Sequence, residues 1–148
     1  MSLTRCRDLL DDFFRRNLPN VRDVQIGIED DTVKLVCKNL TFKGHDDDIY
    51  FTINISMSNG ALPYEVLMGF TFDKLRGTLD DFALINKFNT KAPFFVGSIT
   101  PKGFFKVQWH FVMPTETDVV NGVARGLKAI LNMNDSDDLL KQITARTM

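Results

Sequence analysis

The stretch GHDDD, residues 44 to 48, is where histidine and carboxylate side chains crowd most closely in this sequence. An imidazole beside carboxylates can act as a general base, and carboxylate oxygens are natural ligands of a hard cation. Successive side chains of an extended chain diverge, however, so Asp46, Asp47 and Asp48 cannot all turn toward one ion. The D-x-D-x-D-G spacing of a calcium loop is also missing. An exposed acidic turn is the expectation. His110 follows Trp109 and shares its alternate phase with Lys106 and Gln108, which reads as a solvent-facing histidine on a strand. To work as an acid or base it would need a carboxylate that only the fold could bring near. The sequence has no nucleophile elbow, Walker loop, GxGxxG or HExxH motif. No catalytic residue, metal or cofactor is therefore assigned. The alternative reading is a small-molecule or metal-binding domain, or a modest hydrolase, with a pocket between sheet and helices. There His45 or His110 would act with Asp46, Asp47, Asp48 or Asp73.

A second group of residues points to binding rather than catalysis. The chain has 13 phenylalanines against one tryptophan, and most fall on phases expected to be core. The surplus lies in LMGFTF (67–72), PFF (93–95) and GFF (103–105), where neighbouring positions on both faces are apolar. A sheet with more apolar surface than its helices cover calls for a second subunit or a peptide laid against it. The residues expected to bind such a partner are Leu67, Phe70, Phe72, Phe94 and Phe104, with Lys106 and His110 on a polar rim. Two asparagines inside LINKFNTKAPFF, residues 84 to 95, read as structural. Asn89 is expected to be the left-handed residue that ends a helix, and Asn86 to hydrogen-bond to the following loop. Gly122 and Gly126, one turn apart, would let a helix approach a neighbouring backbone closely.

Bulk properties narrow the class of partner. At 148 residues the chain is the size of one α+β domain, 1–148, able to bury a core without disulfides. The formal charge is −1, with acidic and basic residues interspersed, which is not the footprint that a nucleic-acid backbone demands. No apolar run approaches the roughly 20 residues needed to cross a bilayer. Arg5, Arg7, Asp8, Asp11 and Asp12 interrupt any signal-peptide core, and nothing is read from residues 1 to 3, which could be vector-derived. Cys6 and Cys37 share no metal-ligand spacing and read as small buried hydrophobes in a reducing cytoplasm.

The elements that must position these residues follow from periodicity. Residues 4 to 17 place Cys6, Leu9, Leu10, Phe13 and Phe14 at helical spacing, and Pro19 ends that helix. Two short runs of period two, carrying Val24, Ile26, Ile28 and then Val33, Leu35, Cys37, flank an Asp30-Asp31 turn. A third strand carries Phe51, Ile53, Ile55 and Met57 on one face, and Asn59-Gly60 predicts a tight hairpin into a fourth. Thr78 with Asp80 and Asp81 announces a helix bearing Phe82, Leu84, Ile85 and Phe88. Two strands then turn at Pro101-Lys102-Gly103. A third helix, capped by Thr115 or Thr117, runs through Leu131, and a fourth spans residues 136 to 145. The order is α-β-β-β-β-α-β-β-α-α, an α+β fold with an antiparallel sheet of five to six strands.

The helix ending in Asn86-Lys87-Phe88-Asn89, the strand pair across Gly103 and the amphipathic helix after it resemble the YbjN family, labelled as bacterial sensory transduction regulators. That family commonly shows N-x-W-N at this helix end, and Phe88 stands here in the tryptophan position. The family is in turn similar to type III secretion chaperones. The resemblance implies a cytoplasmic, non-enzymatic homodimer that holds a segment of a partner protein on an apolar surface, chaperone-like or regulatory in role.

Overall fold

The computed structural model describes residues 2–18, 24–40, 49–75, 77–91 and 95–131. These form α1 (Leu3–Asn17), β1 (Val24–Glu29), β2 (Thr32–Leu40), β3 (Ile49–Met57), β4 (Tyr64–Lys74), α2 (Leu79–Lys91), β5 (Val96–Ile99), β6 (Phe104–Met113) and α3 (Glu116–Leu131). The expected fourth helix at 136–145 lies outside the described residues. All six strands join one antiparallel sheet in the order β1-β2-β3-β4-β6-β5.

Local chemistry accounts for the turns. Asp30 and Asp31 take φ of 51° and 56°, the paired left-handed conformation that a two-residue hairpin requires. Thr100 to Gly103 closes the β5–β6 hairpin, with Gly103 at φ 89° and its N–H donating to the Thr100 carbonyl at 2.8 Å. The expected tight turn at Asn59-Gly60 is corrected: the β3–β4 connection is a longer loop, pinned where Ser58 N–H donates to the Pro63 carbonyl at 2.8 Å. Pro63 has no N–H to continue the ladder, so strand pairing resumes only at Tyr64 opposite Met57.

One phase of every strand forms the core with the three helices. Phe51, Ile53 and Ile55 of β3 face the same way as Tyr64, Val66, Met68, Phe70 and Phe72 of β4, and all are buried. Of the phenylalanine surplus, Phe70, Phe72, Phe95 and Phe105 are buried here. Aromatic rings run in a file from Phe14 to Phe51 (6.2 Å), Phe70 (4.8 Å), Phe95 (6.2 Å), Trp109 (5.8 Å) and Phe111 (4.5 Å). Two expected core residues are corrected: Phe82 of α2 and Met57 at the end of β3 are exposed. Phe82 stands in the first turn of α2, at the flank of the stripe that buries Ile85 and Phe88, and Met57 is the last residue of β3.

The expected close approach to a neighbouring backbone at Gly122 and Gly126 is corrected: what lies against these glycines is side chains of β6 and β4. The Phe111 ring lies on Gly122 and the Trp109 indole on Gly126, with Met68 Sδ 3.0 Å from where a Cβ would stand. Alanine ordinarily favours a helix over glycine by about 1 kcal/mol. At position 126 its methyl would run into the indole, which is wedged between α3 and Phe95. Gly126→Ala is therefore expected to destabilise the fold by roughly 1–3 kcal/mol despite its better propensity, read as a lower urea midpoint.

Candidate protein-docking face

The second phase of each strand makes the other face of the sheet, and among the described residues no helix lies on it. Strand registers align its side chains in rows. One row runs Lys34, Asn54, Leu67, His110, and the next Val36, Thr52, Gly69, Gln108, Val96. Hydroxyl and amide groups predominate, with Leu67 half-buried near the middle and Val96 and Val112 exposed toward one side. The Lys106 stem lies over Gly69: a Cβ built there would stand 3.1 Å from Lys106 Cε and 3.2 Å from Thr52 Oγ1. His110 Nε2 sits 2.9 Å from Glu65 Oε1, a diagonal cross-strand pair in which both side chains are about half exposed. Such a solvated pair contributes little to stability and orients the imidazole on the face.

The residues expected to bind a partner separate into three groups. Leu67, Phe104, Lys106 and His110 share this helix-free face. Phe70 and Phe72 are corrected: Phe70 is 0% exposed and stacked on Phe51, and Phe72 stacks on Phe105 at 5.3 Å. The run LMGFTF reads as apolar on both faces, but alternation sends Met68, Phe70 and Phe72 inward together. It leaves Leu67, Gly69 and Thr71 outside, so the surface is polar with apolar points rather than an apolar sheet. Phe94, His45, Asp46, Asp47 and Asp48 lie outside the described residues, as does the side chain of Asp73. The carboxylate that meets His110 is Glu65, which the sequence could not place because it lies 45 residues away.

Asn89 is structural, by a different mechanism from the one expected. Helix α2 continues past it to Lys91, so it does not end the helix. Its side chain instead reaches across to β5, where Oδ1 accepts from Gly97 N–H at 2.6 Å and Nδ2 donates to the Gly97 carbonyl at 3.0 Å. The carboxamide thus occupies both backbone groups that the centre of edge strand β5 turns away from β6. Gly97 is needed for this approach, since a Cβ would meet Phe88 and Phe105 at 3.1 Å. Asn86 is exposed on α2, and its backbone carbonyl accepts from Thr90 Oγ1 at 2.9 Å.

Helix ends are fixed by reciprocal caps. Thr78 Oγ1 accepts from Asp81 N–H at 3.3 Å while Asp81 Oδ2 accepts from Thr78 N–H at 3.1 Å, a capping box closed by aspartate. Thr115 caps α3, its Oγ1 accepting from Asp118 N–H at 3.1 Å. Beneath that cap is a polar node that the sequence did not signal. Ser2 N–H, at the cap of α1, donates to Tyr64 Oη at 2.8 Å and to Glu116 Oε1 at 3.1 Å. Glu116 is buried, yet its carboxyl is held below its ordinary 4.5. Its own backbone N–H is the main cause, opposed by burial and aided by Ser2 N–H and the Tyr64 hydroxyl. Burial also pushes up the Tyr64 hydroxyl, and it raises the Cys6 thiol to about 11 with help from the Glu116 charge.

Comparison with protein families, with curated proteins and with solved structures finds no match.

Two outcomes test these contacts. Asn89→Leu is expected to lower stability by about 1–3 kcal/mol, because it leaves the Gly97 groups without partners, while Asn86→Ala changes the urea midpoint little. Because Glu116 has a folded pKa below its unfolded value, its contribution is present above pH 4.5 and is lost as pH falls through the depressed value. The stability gap between wild type and Glu116→Gln should accordingly be widest near neutrality and close on acidification, measured by urea midpoints across pH.

Proposed function

We propose that this chain is a non-enzymatic protein-binding module, chaperone-like or regulatory, that holds a segment of a partner protein on the helix-free face of its sheet. The observation that carries the reading is the placement of all the described helices on one side. It leaves a six-stranded face presenting Leu67, Phe104, Lys106 and His110 together. The chemistry of that face favours a protein partner. Rows of hydroxyl and amide groups suit polar side chains and main chain, Leu67 and Phe104 supply apolar points, and Lys106 and the His110–Glu65 pair supply charge at the margins. The resemblance to YbjN proteins and secretion chaperones points the same way. Buried thiols such as Cys6 and Cys37 suit a reducing cytoplasm.

The test is affinity capture from host lysate with wild type beside Leu67→Glu and Phe104→Ser, two changes on the helix-free face that leave the core intact. A protein retained by wild type and lost at least tenfold by both variants, with unfolding midpoints preserved, is the expected result. Retention unaffected by either variant would move the binding surface elsewhere. A metabolite or metal copurifying in stoichiometric amount, with no protein partner, would replace this reading with the pocket alternative.

A further inference from the structure

The two edges of the sheet are treated differently. At β5 the outward backbone groups of Gly97 are taken by Asn89 from α2, and the strand is only four residues long. At the other edge, β1 runs six residues as VQIGIE and has only β2 as a strand neighbour among the described residues. Of the usual blocking features of an edge, its sequence has no proline and no lysine, and its register with β2 has no bulge. Glu29 and Thr32 flank the two-residue turn, and residues in that position exchange both backbone hydrogen bonds. Alternation from there turns the N–H and C=O groups of Val24, Ile26 and Ile28 away from β2, along the open edge. Ile28 is exposed as well.

From this edge we infer that β1 is a self-association site, pairing antiparallel with β1 of a second copy about a two-fold axis at Gly27. The occupant follows from the strand's own pattern. Around Gly27 the residues read polar, apolar, glycine, apolar, polar (Gln25, Ile26, Gly27, Ile28, Glu29), and an isologous two-fold requires that kind of self-match. In this register Ile26 of one chain faces Ile28 of the other, and their outward backbone groups exchange both hydrogen bonds. Gln25 faces Glu29, so no like charges are opposed. Gly27 faces Gly27 in the pair type that brings backbones closest, about 4.5 Å between Cα atoms. On the helix-free face, Gly27 leaves a groove of about 470 Å³ bordered by Gln25, Glu29, Lys34 and Val36. A Cβ at Gly27 would meet nothing within 4 Å, so this position can be substituted without disturbing the fold. The inference is independent of the docking face, since it uses the edge of the sheet and the other uses its surface.

The test is a charge swap read by sedimentation velocity across a wide concentration range. Gly27→Glu places a carboxylate beside Lys34 on the neighbouring strand within the monomer, and two carboxylates face to face in the dimer. Wild type should dimerise, Gly27→Glu and Gly27→Lys should each weaken dimerisation at least tenfold, and an equimolar mixture of the two should recover it. Hydrogen exchange supplies the second readout: the Ile26 and Ile28 amides should gain protection with concentration, while Gln25 and Gly27, which already bond to β2, should not change. A wild type that stays monomeric overturns the proposal. So does a dimer that the single variants leave unchanged and in which Ile26 and Ile28 exchange freely.

Discussion

Tyr64, Val66, Met68, Phe70 and Phe72 all leave β4 toward the helices. Because β4 is hydrogen-bonded on both sides, that phase fixes which residues of β3 and β6 turn inward with them. A slip of one residue would send this set of large side chains to water and bring Glu65, Leu67 and Thr71 into the core, so the register is strongly specified. The inward phase then dictates where helices must lie. α1 covers β1 to β3, α3 covers β4 and β6, and α2 lies against β5. The helix-free face is what remains once that apolar phase has been satisfied.

The covering layer is tied down in two chemically different ways. At the α3–β6 contact the fit is steric: Trp109 and Phe111 are accommodated because Gly122 and Gly126 offer no side chains. Where α1 and α3 begin, the tie is polar. Ser2, Tyr64 and Glu116 meet where two helix N-termini and a central strand converge, and a buried carboxylate is tolerated there because backbone N–H groups solvate it. The steric contact responds to volume and the polar one to protonation, so mutation and acid probe different parts of the same layer.

Much of this was legible in the sequence, and the parts that were not share a physical cause. Element order, the Asp30-Asp31 and Gly103 turns and the Thr78 cap are local signals, carried by residues within one turn of each other. Phe70 and Phe72 were misplaced because the run around them is apolar enough to hide its alternation, and only the strands on either side reveal which phase is buried. Asn89 was recognised as structural, but its partner at Gly97 is set by where α2 meets the edge of the sheet. His110–Glu65 and Ser2–Tyr64–Glu116 join residues distant along the chain, so no spacing rule could have found them.

The asymmetry between the two sheet edges decides what kind of assembly strand addition can build. A protein with two receptive edges can join head to tail without limit, and its product is a fibre. With Asn89 holding Gly97 at β5, strand addition among the described residues would be directed to β1, and isologous pairing there would consume that edge in both copies. The β1 pairing proposed above would stop assembly at two copies whatever the concentration. The carboxamide of one helix residue would then act as a chain terminator for polymerisation.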